Sequence, residues 1–86
     1  MSERTVNDMA RYIRERFPDK KQSIGRLMAE DPRFLSLCDD YDVCINALLY
    51  WSKSGEPEAE IRVNEYHTIA RELEEEVVEA LIAQKR

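Results

Sequence analysis

The chain has 86 residues, of which 43% are hydrophobic and 36% charged, with two glycines, two cysteines and a formal net charge of -5. A chain of this size closes one small core and leaves no room for a second lobe or a deep substrate cavity, which disfavours most enzyme architectures. A mean hydropathy of -0.62 with no apolar run near the roughly 18 residues a membrane span needs excludes a transmembrane segment. The alternating charges of residues 1–17 do not read as a signal peptide, so a cytoplasmic protein with no membrane partner is expected.

Abundant Glu, Arg, Ala and Leu, with so little glycine, predict an all-α fold. Cys38 and Cys44 fall six residues apart on what reads as one helix, where their side chains diverge; they are expected as reduced, small hydrophobes. No CxxC pair accompanies them, so no zinc site is expected. Charge is divided unevenly: residues 1–27 hold seven basic and four acidic side chains, a net of +3, and residues 28–86 hold six basic and fourteen acidic, a net of -8. Such asymmetry guides self-association or partner choice where it is more than a solvated surface.

Thr5 opens a weak capping-box pattern with Asp8, and Val6, Met9, Ala10, Ile13 and Phe17 follow helical spacing, which predicts a first helix over about 5–17. Pro18 ends it and begins a short second helix with Ile24, Leu27 and Met28 on its apolar face. Asp31 and Pro32 repeat the punctuation more clearly: an aspartate that accepts from unpaired amides, then a proline where a missing N–H costs nothing. From there Phe34, Leu37, Tyr41, Cys44, Leu48 and Trp51 recur at alternating intervals of three and four, the spacing of a helix that packs along one seam. Ser54 to Pro57 should turn the chain, with Gly55 in a left-handed cap. A second long helix is expected from near Glu56, its first turn made acidic by Glu56, Glu58 and Glu60 and its last made basic by Lys85 and Arg86. Its seam is Val63, Tyr66, Ala70, Leu73, Val77 and Ala80, with the small Ala70 and Ala80 facing Tyr41 or Trp51. The expected organisation is one helical domain over 1–86: two short helices in 1–30, then a long antiparallel hairpin in 31–86.

Ile24-x-x-Leu27, Glu30-Asp31-Pro32-x-Phe34-x-x-Leu37 and Tyr41-x-x-x-Ile45, followed by a polar loop and a charged helix, resemble the short bacterial YdcH-like proteins over about residues 24–83. That resemblance implies a helical hairpin and no assigned biochemical activity. The chain departs from the group in its segment 1–23. It also lacks a lysine-rich track on the second helix, carrying Arg71, Glu72, Glu74, Glu75 and Glu76 there instead.

No residue constellation reads as a catalytic or metal site. Asp39, Asp40 and Asp42 lack a glycine turn to wrap an ion and read as a solvated face. His67 is preceded at three residues by Asn64, not by the glutamate of a di-metal helix, and Cys44 sits on the seam, where a nucleophile would be shut away. What remains is apolar surface outside the two seams: Leu35, Val43, Leu49 and Tyr50 on the first long helix, and Ile61, Ile69, Val78 and Ile82 on the second, all but Ile61 being expected on an outer interaction stripe. Trp51 is expected in the core and Tyr50 beside it at an interface. The reading is therefore a non-enzymatic helical interaction module without a cofactor, binding itself as a homodimer or higher assembly, or another helical protein. The alternative is nucleic-acid binding through Lys20, Lys21, Gln22 and Arg26 in a helix-turn-helix-like segment, which the acidic remainder of the chain opposes.

Overall fold

The computed structural model describes residues 10–84, and among them every regular element is a helix: α1 (Arg11–Arg16), a 3-10 turn (Pro18–Lys20), α2 (Lys21–Glu30), α3 (Pro32–Ser52) and α4 (Ala59–Gln84). The start of α3 follows from its local sequence. Asp31 is extended, its Oδ1 accepts from the Arg33 amide at 2.9 Å, and Pro32 occupies the first turn.

The widest interface in the fold joins α3 to α4. Phe34 and Leu37 share a cleft wall with Leu73 and Ala80, the Tyr41 hydroxyl donates to Glu74 Oε2 at 2.5 Å, the Cys44 thiol donates to the Tyr66 carbonyl at 3.3 Å, and the Arg62 guanidinium stands 6.0 Å from the centre of the Trp51 ring. Positions thus rise along α3 as they fall along α4. Phe34, Cys38, Tyr41 and Cys44 are buried from one side, and Ala70, Val77 and Leu81 from the other; Ile13, Ile24 and Met28 close the core from the N-terminal helices. The seam loosens toward the turn, where Leu48 and Trp51 are half-buried. Ala80 faces the Phe34 end and not Trp51, so the tryptophan packs on Arg62 and edge-on against Tyr50, with ring centres 5.2 Å apart.

Three local expectations give way. The turn after α3 does not use a left-handed glycine: among the described residues no glycine has positive φ. The helix end is closed instead by the Lys53 amide on the Tyr50 carbonyl and the Ser54 amide on that of Trp51, both at 3.2 Å, and Ser54 Oγ then accepts from the Glu56 amide at 3.1 Å. Helix α4 starts at Ala59, which leaves Glu56 and Glu58 in the preceding turn and Glu60 alone in the first helical turn. Lys85 and Arg86 lie outside the described residues, as do Thr5 to Met9.

The third concerns α1, which does not continue back through Ala10. Ala10 is left-handed at φ 64°, a conformation that costs an L-residue roughly 1–2 kcal/mol. The compensation comes from another helix: the Ala10 and Tyr12 amides donate to Asp42 Oδ2 and Oδ1 at 3.1 and 3.2 Å. An aspartate of α3, only 4% exposed, thereby caps α1. Residue spacing registered the apolar positions around Ala10 and was blind to this reversal of the backbone. Hydrogen bonds to a charged group contribute about 1.5–3 kcal/mol each. Asp42→Ala is therefore expected to lower the unfolding free energy by about 2–3 kcal/mol in urea titrations, whereas Asp40→Ala, at an exposed position, changes it by less than about 0.5 kcal/mol.

Candidate functional site

Of the residues expected on an outer interaction stripe, Val43, Leu49, Tyr50, Ile69, Val78 and Ile82 are exposed, and Ile61 joins them. Leu35 is half-buried and packs against the core. The exposed residues do not form one stripe. At about 100° per residue, Val43 and Tyr50 share a face of α3 while Leu49 points about 120° away from Val43. Ile69 and Val78, nine residues apart on α4, project from opposite sides of the helix. Which of them meet is decided by how the helices pack, and not by helical spacing alone.

The structure does gather Val78 and Ile82 with Phe17, Leu81 and Lys20 around a cleft of about 230 Å³. Phe17 and Val78 also border a second cleft of about 390 Å³, walled by Arg16, Arg71, Glu74, Glu75 and Glu79. Helical spacing places Phe17 on the apolar face of the first helix. Phe17 itself leaves the helix at φ -126° ahead of Pro18, and its ring lies against α4 instead. No periodic signal links residues so far apart in sequence, so the cleft is a product of tertiary packing.

One carboxylate organises this corner. Glu74 of α4 accepts from Tyr41 of α3 through Oε2 and pairs with Arg16 of α1 through Oε1 at 3.5 Å, so three helices meet on a single side chain. Arg16 in turn lies over the Phe17 ring at 5.0 Å. Burial first, and then the hydrogen bond to Glu74, hold the Tyr41 phenol protonated well above its ordinary range.

The remaining candidates divide plainly. Lys21, Gln22 and Arg26 are exposed on α2, and Lys20 ends the 3-10 turn, half-buried at the edge of the apolar cleft. His67 is exposed on α4. Among the described residues no three His, Cys, Asp or Glu side chains stand together as a metal site, and Asp42, expected in a solvated face, is instead the buried cap of α1. Only the long-range geometry reveals that role, although an aspartate flanked by Tyr41 and Val43 in a seam-forming helix is a sequence signal worth weighing.

Both cysteines are free thiols. Burial pushes the Cys38 thiol up to about 12 from 9.0, with the Asp42 charge adding to the rise and Arg14 opposing it, and burial likewise raises Cys44. Neither side chain supplies a thiolate nucleophile at neutral pH. Between 9.0 and about 12 the folded Cys38 keeps a proton that an open chain has released, so the folded form binds more protons there and stability falls as pH rises through that window. Thermal melts are expected to hold their midpoint up to about pH 9 and to fall above it, and Cys38→Ala to flatten that fall. A thiol reagent at pH 8 should modify the native protein far more slowly than the urea-unfolded chain.

Comparison with known proteins leaves the geometry to speak for itself: no family model, curated protein or solved structure matches this chain.

Proposed function

We propose that this chain is a non-enzymatic helical interaction module that self-associates. In this reading α3 and α4 form an antiparallel hairpin, the two short N-terminal helices pack on it, and the outer helix faces dock onto other helices. The observation that supports it is the large apolar surface left on the outside: Val43, Leu49, Tyr50, Ile61, Ile69, Val78 and Ile82 are all exposed on a chain of 86 residues. Each such side chain contributes about 1.5–3 kcal/mol when fully buried, so an assembly that covers several of them is favoured over the isolated chain. The likeness to the YdcH-like hairpins belongs to the same proposal, as does a cytoplasmic setting, which suits two free thiols. None of the described helices is long and apolar enough to cross a membrane.

Solution mass decides the matter. Light scattering at high micromolar concentration is expected to give at least twice the 10.2 kDa of one chain. A 10.2 kDa species at every concentration, combined with no binding to any purified helical partner, contradicts the proposal.

A further inference from the structure

The N-terminal helices cover one side of the α3–α4 pair, and the other side is left open. Asp42 holds α1 from α3, and Glu74 holds it from α4. Asp40 and Glu76 each lie two residues from these anchors, about 160° away around their own helices, and so face the side that α1 leaves bare. A cleft of about 550 Å³ runs between the two helices there. Its floor is apolar, with Leu37 and Leu73 half-buried from opposite walls and the small Ala80 beside them. Ile69, exposed and four residues before Leu73, carries this apolar surface further along the same side of α4.

The rim of this cleft is acidic. Asp40 borders it from α3 and Glu76 and Glu79 from α4, all exposed, against the single guanidinium of Arg33, while the Asp31 carboxylate is taken up in capping α3. The carboxylates of Asp40, Glu76 and Glu79 make no ion pair or hydrogen bond with another described residue. Spread along both walls of an apolar floor, they match a row of Lys or Arg flanking an apolar stripe, and they repel nucleic acid and anionic lipid. They are too dispersed for one cation, since among the described residues no three such ligands stand together. A second copy fits this chemistry poorly. Its α2 turns Lys21 and Arg26 outward, yet Ile24 and Met28 are consumed in its own core; its exposed Ile69 and Val78 stand among glutamates, and Leu49 and Tyr50 have only Lys53 nearby in sequence.

We infer that the open cleft between α3 and α4 binds a basic amphipathic helix of a partner protein, its apolar stripe seated on Leu37, Leu73 and Ala80 and its Lys or Arg side chains reaching Asp40, Glu76 and Glu79. The inference rests on the interaction-module reading above and adds a partner that differs in chemistry from a further copy of this chain. Apolar contact along the floor supplies most of the affinity, and the rim charges select the partner and speed its arrival. A helix with acidic flanks is rejected by the same rim.

The test is an amide NMR titration of the isotope-labelled full chain with a synthetic helix that carries Leu along one face and Lys on both flanks. Binding is expected to shift signals within residues 33–40 and 73–80 and to weaken as salt is raised. A peptide with Glu in place of Lys, and a Gly/Lys peptide of equal charge, should each bind at least about tenfold more weakly. Asp40→Lys and Glu76→Lys should each lower affinity at least about fivefold, whereas Glu58→Lys, the same change of charge in the turn before α4, should lower it less than about twofold. All three positions are exposed, and circular dichroism verifies that each variant is helical. Equal binding of the three peptides, or an equal loss in the three variants, overturns the cleft and leaves the self-associating reading to the mass of the chain measured without peptide. Cleft signals that move when the chain alone is diluted make a second copy the occupant, which overturns the basic partner and supports self-association.

Discussion

Everything in this fold leans on the burial of Phe34, Tyr41 and Cys44 of α3 against Ala70, Val77 and Leu81 of α4. Neither long helix has enough apolar surface on one side to be stable alone in water, and most helical stability in proteins comes from such packing rather than from propensity. Ala80 shares a cleft wall with Phe34, and Ala70 is buried in the same core as Tyr41. The short helices then close the open edge with Ile13, Ile24 and Met28. Ile13 and Ile24 are among the largest fully buried side chains, and polar contacts from the long helices hold that edge as well.

Those polar contacts are few and shared. Asp42 satisfies two amides at the start of α1, and Glu74 joins the end of α1 to both long helices. Each carboxylate is shielded from water enough for its hydrogen bonds to count for more than surface ion pairs such as Arg11–Glu15, in which both side chains are largely exposed. The same shielding holds Cys38 and Tyr41 in their neutral forms, so the interior around α3 carries little chemistry at neutral pH and reads as scaffold. What the scaffold presents outward is a set of helix faces, each with its own mixture of apolar and charged residues.

The sequence made the long helices legible because their signals are local. Asp31 and Pro32 announce the start of α3, and the alternating intervals from Phe34 to Trp51 mark its buried side with no knowledge of the partner. Where the outcome depended on residues distant in sequence, spacing failed. Nothing near Ala10 forecasts a left-handed backbone, because its reason is a carboxylate 32 residues away. Phe17 gave no hint that it would lie against Val78 and Leu81. The apolar residues outside the seams could be named from the sequence. Their division into separate faces could not, because it depends on which flank of each long helix the N-terminal segment occupies.

The borrowed cap on α1 also bears on how the molecule comes together and apart. A helix of six residues is far too short to nucleate by itself, and the group that satisfies its first amides belongs to α3. Its formation is therefore conditional on α3 already being in place, which makes it the late-joining and early-leaving unit of the assembly pathway. Brief fraying of that segment would uncover Ile13 and the flank of α3 beneath it while the rest of the architecture stayed intact, giving the protein a partly open form well below the energy of complete denaturation.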